Sequence, residues 1–367
     1  MRKNFKYRAR LNKESTRKAN EWIDVCRWLY NHTLEEKVSE YKETGNYLSA
    51  YDQMKRLTSM KQEEPGLYEV GSQVLQDVIT RVDLAFKAFF RRVKNGEGSP
   101  GFPRFKGMDR YSSFTLKNTG WKLHDNILDV RNIGKFRLRL SRPILGDVKT
   151  IAISKTPTGK WNVTFSCDDV PSRRLPESDE DIGIDVGISK FAVTSDNEVI
   201  ENPKFYRKYR EDLNKASQDL SRKKKGSTRR KKSKLRLSKI HEKIKNSRSD
   251  FHWKRANDLV NNYGTIYIED MKSWSSWRTM NREMKDAAWF GFFDKLRFKA
   301  AEAGREVIEV PARGTTQECS ACGRIVKKDL SERTHRCTCG LTMDRDLNAA
   351  INILTAGRAV RLTSRIS

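Results

Sequence analysis

The sequence predicts a multidomain α+β protein, and three observations carry that reading. Apolar residues recur at helical spacing from about 14 to 96, short β-rich segments separated by turn residues fill about 97–175, and strands alternate with helices beyond about 180. A chain of 367 residues is long enough for two or three domains, each with a buried core.

Residues 3–12 alternate as a strand does. From Glu14 the pattern turns helical, and Trp22, Ile23, Cys26, Leu29 and Tyr30 fall on one face. Within "SQVLQDVITRVDLAFKAFFRRV" a stripe of Val74, Leu75, Ile79, Val82, Phe86 and Phe89 reads as core, leaving Gln76, Thr80, Arg91 and Arg92 elsewhere. The Gly/Pro-rich "NGEGSPGFPRFKG" ends the helices. "SFTL", "KFRLRL", "TIAIS" and "WNVTFSC" then have β composition, which predicts a small basic barrel or sandwich.

The polar, proline-punctuated "PSRRLPESDED" reads as a linker, and "DIGIDVGISKFAVTSDNEVI" as two or three strands of a new domain. A basic helical segment occupies about 203–262. Then come a strand in "TIYIED", an amphipathic helix in "MKDAAWFGFFDKLRFKAAEAG" stopped by Gly304, a strand in "REVIEV", a cysteine cluster, and a last helix from about Asp346 to Ala356.

Charge narrows the function. The 74 Lys and Arg exceed 47 Asp and Glu by 27, an excess that favours a polyanionic partner, so nucleic acid is expected. Residues 222–236 hold ten Lys or Arg and no acid, and Arg222, Lys223, Lys224, Arg229 and Arg230 are assigned to a nucleic-acid groove over a merely solvated face. The N-terminus "MRKNFKYRARLNK" lacks an apolar signal core, and nowhere do about 18 apolar residues run together. The chain is therefore read as soluble and intracellular, with no membrane partner.

Cys26 and Cys167 stand alone, whereas Cys319, Cys322, Cys337 and Cys339 cluster. Cys319-x2-Cys322 and Cys337-x-Cys339 supply four thiolates, enough to close a tetrahedral zinc shell with no open position, so one structural Zn²⁺ is expected. His335 is an alternative ligand that the four thiolates make unnecessary. It is read as solvated.

Three acids sit at ends of predicted elements. Alternation in "DIGIDVG" sends Ile182, Ile184 and Val186 to one face and Gly183 with Asp185 to the other, where a metal could approach beside the glycine. In "TIYIED", Glu269 shares a face with Tyr267 at a strand end. Asp346 opens the last helix, whose Ala349, Ala350 and Ile353 would press it to the sheet. Singly these are a turn acid, a surface acid and a helix cap, and Asp344 competes for the third place. Together, carboxylates from two strands and a helix are what two-metal phosphodiester hydrolysis requires, and Mg²⁺ suits such oxygen ligands.

"GIDVGISKFAV", "IYIEDM", "TTQECSACG" and "CGLTMDRDLNAAINIL", in that order, resemble the split nuclease motifs and zinc module of the TnpB family of transposon-encoded RNA-guided DNA endonucleases, relatives of type V CRISPR effectors. The similarity extends through "CRWLYN", "LSAYDQMKRL", "SQVLQD", "AFFRRV", "GFPRFKG" and "SFTL", and so covers nearly the whole chain.

The resemblance implies an RNase H-like RuvC domain in two parts, 176–312 and 344–358, around a zinc-binding, target-contacting module at 313–343. It also implies an OB-like wedge barrel at 97–175 that includes a first strand at 1–13, and a helical recognition lobe at 14–96; the short basic tail at 359–367 is expected from its position to be disordered. Asp185, Glu269 and Asp346 would be the catalytic triad holding two Mg²⁺ ions, with an activated water as nucleophile. Gln73, Gln76, Ser113, Phe114 and Thr115 would read a short motif beside the target.

The implied partners are a guide RNA from the transposon end and double-stranded target DNA, bound by one copy of the chain in the bacterial cytoplasm. Three other readings stand beside this one: an RNA-guided repressor that has lost cutting, as the resemblance also allows, a strand-transfer transposase, which the chemistry alone does not exclude, and a zinc-ribbon binder without chemistry. The presence of all three acids argues against the first.

Overall fold

A computed structural model describes residues 1–366 except 97, 272–281, 312–313 and 330–331. The boundary expected at 312/313 therefore lies outside the described residues. The chain divides into two compact units, Met1–Pro171 and Ser172–Ser367.

The first unit opens with β1 (Lys3–Leu11), in which Phe5, Tyr7 and Ala9 are buried and Lys6, Arg8 and Arg10 point outward. Four helices follow: α1 (Lys13–Thr44), α2 (Ala50–Lys55), α3 (Leu57–Glu63) and α4 (Ser72–Lys94). Asn12 caps α1 by accepting from the Ser15 amide at 2.7 Å, and Gly45, in the left-handed region at φ 72°, ends it. The buried stripes of α1 (Trp22, Cys26, Leu29) and α4 (Val74, Val78, Val82) belong to one core with the sheet.

Six more strands complete that sheet: β2 (Ser113–Leu116), β3 (Trp121–His124), β4 (Ile127–Val130), β5 (Gly134–Arg139), β6 (Asp147–Lys155) and β7 (Trp161–Asp168). Their order is β2-β6-β7-β1-β5-β4-β3. In its hydrogen bonds the expected barrel is thus an open seven-stranded sheet. The first strand of the chain lies in its middle, antiparallel to β7 on one side and β5 on the other.

The second unit is built on a mixed sheet of order β10-β9-β8-β11-β12. Its strands are β8 (Asp181–Val186), β9 (Lys190–Thr194), β10 (Val199–Glu201), β11 (Thr265–Glu269) and β12 (Glu306–Val310). Strands β8, β11 and β12 run parallel, whereas β8, β9 and β10 form an antiparallel meander. Between β10 and β11 come α5 (Phe205–Lys208), α6 (Arg210–Ser221) and the 35-residue α7 (Thr228–Asn262). Between β11 and β12 come α8 (Arg282–Ala287) and α9 (Trp289–Ala303), so the single helix expected around Ala288 is broken there, at φ 52°. A hairpin of β13 (Thr334–Arg336) and β14 (Thr342–Asp344) leads into α10 (Arg345–Ile366).

Alternation along β8 and β11 divides the sheet into two faces. Ile182, Ile184, Ile266 and Ile268 share a core with Leu259 and Val260 of α7 and Phe292 and Leu296 of α9. On the other face Tyr267 and Val310 pack with Ile353 of α10. Helix α10 lies so close that a Cβ on Gly183 would meet the Ala350 carbonyl oxygen at 2.2 Å, and one on Gly357 would meet the Tyr267 ring at 2.0 Å. The space left by Gly183 is therefore filled by helix backbone, which corrects the expectation of a metal approach there. The tail expected to be disordered from 359 is instead the end of α10, where Arg358 and Arg361 pair with Asp181 at 3.3 and 3.5 Å. None of the described helices is long and apolar enough to cross a membrane.

Gly183→Ala is expected to destabilise the second unit by about 3 kcal/mol, because neither the helix backbone nor the strand can give way. Gly101→Ala, which adds a Cβ into open space, is the control. The two are compared by thermal melting, and equal transitions would show that α10 does not depend on that contact.

Candidate functional site

Asp185, Glu269 and Asp346 come together. The parallel register that sets Ile184 beside Ile268 brings Asp185 and Glu269 to the carboxyl ends of adjacent strands. Helix α10, seated on the same face, delivers Asp346 in its first turn. All three line one cavity of about 510 Å³, together with Trp289, Thr315, Lys328, Arg333 and Arg345. They are 8 %, 6 % and 7 % exposed, too buried to be ordinary surface acids.

Burial, and then repulsion from Glu269 and Asp346, raises the Asp185 carboxyl well above the usual carboxylate range, with Arg345 opposing. Burial also raises Glu269, and the Thr315 hydroxyl, which donates to its Oε1 at 2.8 Å, works against that rise. Arg345 donates through Nε and Nη2 to Asp346 Oδ1 at 3.2 and 3.1 Å, and through Nη1 to the Glu332 carbonyl oxygen at 3.0 Å. Neither Thr315 nor Arg345 stood out in the sequence, although an arginine between two aspartates was a signal for the second.

Asp344 has other work. Its Oδ1 accepts from the amides of Asp346 and Leu347 at 2.8 and 3.3 Å, capping α10, and its Oδ2 accepts from Lys190 at 2.8 Å. Burial opposes ionisation, but Lys190 and these amides win and lower its carboxyl. Asp346 is thus the member of the pair that faces the cavity. The three carboxylates share the cavity as oxygen donors of the kind a hard divalent cation takes, and its charge would offset the burial and repulsion that raise Asp185.

The four clustered cysteines also come together. Their Sγ atoms lie within 4.8 Å of one another, with Cys319–Cys339 at 3.7 Å and Cys322–Cys337 at 3.6 Å. Zn–S bonds of about 2.3 Å in a tetrahedron require S···S edges of about 3.8 Å, so the cluster fits one zinc ion. The amide of Cys339, and then the neighbouring thiols, push Cys337 down to about 6. His335 stands outside this set. It is fully buried, contrary to the solvated reading, and its Nδ1 is bonded to Lys328.

Two asparagines tie the cysteine module to α10. Asn348 accepts from the Ser320 amide at 3.0 Å and donates to the Glu318 carbonyl oxygen at 2.7 Å. Asn352, one turn on, donates to the carbonyl oxygens of Thr315 and Glu318 at 2.8 and 2.7 Å. The loop that enters the module therefore touches Glu269 through Thr315 and is held to the helix bearing Asp346.

The expected nucleic-acid residues divide. Gln73 and Gln76 lie half-buried in the first turns of α4. Ser113 and Thr115 are held by Arg81, which donates to the Ser113 carbonyl at 2.9 Å and the Thr115 hydroxyl at 2.7 Å. Phe114 is fully buried against Trp22, with ring centroids 5.4 Å apart, and has no surface to offer a base, which corrects that assignment. In the basic run, Arg222, Lys224 and Arg229 are exposed. Lys223 pairs with Asp219 at 3.1 Å, and Arg230 donates to the carbonyls of Leu220 and Lys223 at 2.8 and 2.9 Å, closing the end of α6.

A two-unit α+β chain that sets a carboxylate-lined cavity beside a tetrathiolate module belongs to a recognisable class. Family models match residues 164–273 ("Probable transposase", OrfB of IS605 type), 289–353 (Cas12f1-like TNB domain) and 1–46 ("Helix-turn-helix domain"). In this structure the last segment is β1 followed by the single long helix α1.

The chain belongs to the TnpB family. It is 30% identical to the Escherichia coli K12 protein named "Putative RNA-guided DNA endonuclease InsQ", over 97% of this chain and 92% of that one. It is equally 30% identical to a Streptomyces pristinaespiralis protein named "Putative RNA-guided DNA endonuclease", over 97% of this chain and 89% of that one. A solved Cas12f1 bound to guide RNA and target DNA shares the fold, with a TM-score of 0.58 at 15% identity over 91% of this chain and 81% of that one.

Stripping zinc with a strong chelator is expected to release the loops held by Asn348 and Asn352, opening about 313–343 to protease and lowering the melting temperature. Unchanged melting after verified zinc loss would count against a structural ion. A second expectation follows from the raised Asp185. Its folded form keeps a proton that the unfolded chain loses, so metal-free stability falls as pH rises from about 4 through the raised value. Asp185→Asn should remove Asp185's share of this decline and leave that of Glu269, stabilising the metal-free protein near neutral pH by about 2–4 °C per kcal/mol recovered, and should abolish stabilisation by Mg²⁺. A melting profile that falls with pH as steeply as the parent's would refute the assignment.

Proposed function

We propose that the chain is an RNA-guided DNA endonuclease that cuts through one active site, formed by Asp185, Glu269 and Asp346. The convergence of three buried carboxylates from two strand ends and a helix, beside a thiolate module, carries the reading. Membership of a family whose relatives are named RNA-guided DNA endonucleases supports it.

In this reading the second unit is an RNase H-like RuvC domain interrupted by a zinc module. The sheet of the first unit is an OB-like wedge, and α1–α4 form the recognition lobe. Two Mg²⁺ ions would supply a lowered water pKa and charge to offset the developing phosphorane. The protein's own part is to hold ligands still. Burial fixes Asp185 and Glu269 on a rigid sheet, Thr315 orients Glu269, and Arg345 orients Asp346. Lys328 and Arg333 on the cavity wall add positive charge for a phosphodiester backbone.

Base pairing with a guide RNA from the transposon end would read most of the target, and the protein would read a short flanking motif. A single copy in the bacterial cytoplasm would suffice. Gln73, Gln76, Ser113 and Thr115 remain the candidates for that motif, and Arg222, Lys224 and Arg229 for phosphate contacts.

The matched description "Probable transposase" favours one second reading, strand transfer through the same acids. The protein expressed with its native flanking DNA, its bound RNA and Mg²⁺ distinguishes the two. Guide-dependent double-strand breaks with free ends are expected on plasmids carrying a matched target beside randomised bases. Joined products would favour transfer, and guided binding without cutting would favour a repressor.

Asp185→Ala is expected to lower cutting by about a thousand-fold or more, with RNA binding unchanged. Thr315→Val should raise Glu269 further and move the acidic limb of the rate profile to higher pH at fixed Mg²⁺, while Thr315→Ser restores it. A Val variant whose limb does not move would show that Thr315 does not act through Glu269.

A further inference from the structure

Apolar rings lie exposed at the end of α4 and on the segment after it, a motif the cleavage chemistry does not use. Phe90 and Phe102 are 47 % and 49 % exposed, and Phe105 and Met108 on the same segment are 58 % and 76 % exposed. Phe90 packs edge-on against Tyr47 at 6.1 Å and beside Phe89 at 5.3 Å. Phe102 stands edge-on to Phe86 and Phe89 at 5.4 and 5.3 Å.

These rings are held in place. Arg92 donates to the Gly101 carbonyl oxygen at 3.1 Å, and Asn31 exchanges two hydrogen bonds with the Lys106 backbone at 3.0 and 2.7 Å. Residues 101–108 are thereby anchored with the Phe102 and Phe105 rings exposed, although none of these residues lies in a helix or strand. Cations predominate around them: Arg91, Lys94 and Arg104 are exposed among the rings, with Asp109 the exposed acid beside Met108.

Fixed aromatic faces interleaved with cations match a strand that offers stacking bases on an anionic backbone. They match a duplex poorly, because its bases are already stacked. We propose that Phe90 and Phe102 form a stacking platform for unpaired RNA bases, with Arg91, Lys94 and Arg104 holding the flanking phosphates. RNA is the favoured source, because its recognition relies on splayed bases in loops and single strands. The inference rests on the RNA-guided reading but does not depend on cutting.

The test uses the full-length protein and fluorescein-labelled oligoadenylate of 12 nucleotides, as single-stranded RNA, as the RNA duplex with oligouridylate, and as single-stranded DNA. Binding is followed by anisotropy across a salt series. Phe90→Leu with Phe102→Leu, which keeps apolar packing but removes the ring faces, is expected to weaken single-stranded RNA binding by about ten-fold or more. Duplex affinity and the salt slope should stay the same, and Phe90→Tyr with Phe102→Tyr should restore affinity. Arg91→Gln with Lys94→Gln should reduce the salt slope.

Unchanged single-stranded RNA affinity in the Leu variant would overturn the proposal, as would an equal loss on the duplex. A loss on DNA alone would transfer the platform to the displaced DNA strand. A parent dimer that the Leu variant dissociates, seen by light scattering, would make the patch an interface between copies instead. Failure of DNA cutting with a positive result here would leave the platform standing and sink only the nuclease reading.

Discussion

The seating of α10 on β8 is the contact on which the second unit depends. Gly183 lets the helix backbone approach the strand within the space of a missing methyl group, and Gly357 does the same over the Tyr267 ring. With the helix that close, Asp346 in its first turn reaches the cavity edged by Asp185 and Glu269. The same proximity gathers negative charge that burial makes expensive, so the site resists ionisation without a cation. Stability and ligand affinity are therefore set against each other at one place.

The thiolate module is continuous with that site. Chain leaving β12 passes Thr315, which is bonded to Glu269, enters the cysteine cluster, and returns through β13 and β14 to Asp344 and Asp346. Asn348 and Asn352 close the loop by bonding to the outgoing strand of chain. A zinc ion that organises four sulfurs would thereby also restrain the paths of two of the three acids.

Much of this was legible in the sequence, for physical reasons. Period-two alternation separates Ile182 and Ile184 from Asp185, and Ile266 and Ile268 from Glu269, because such strands cannot exchange faces without exposing the core. Cysteine spacing gave the thiolate set directly. What stayed hidden depends on tertiary approach. Gly183 reads equally as room for a metal or for a helix, and only the packed structure decides. Asp344 and Asp346 are one residue apart, and Lys190, from β9, commits one of them to capping. Phe114 sits in a motif with alternating burial, and local pattern alone does not reveal that its ring faces Trp22 in the core. The C-terminal tail has basic, unremarkable composition, but Asp181 and Glu306 on the sheet draw Arg358 and Arg361 into a continued helix.

The central position of β1 bears on how the chain is made. Strand β1 needs partners at 134–139 and 161–168, so it must wait, unpaired, while the helical insertion and most of the sheet are synthesised after it. Its alternating Lys and Arg keep the waiting segment soluble and discourage edge pairing with other chains. A nascent chain truncated before residue 161 would hold a sheet missing one of the two pairings of β1.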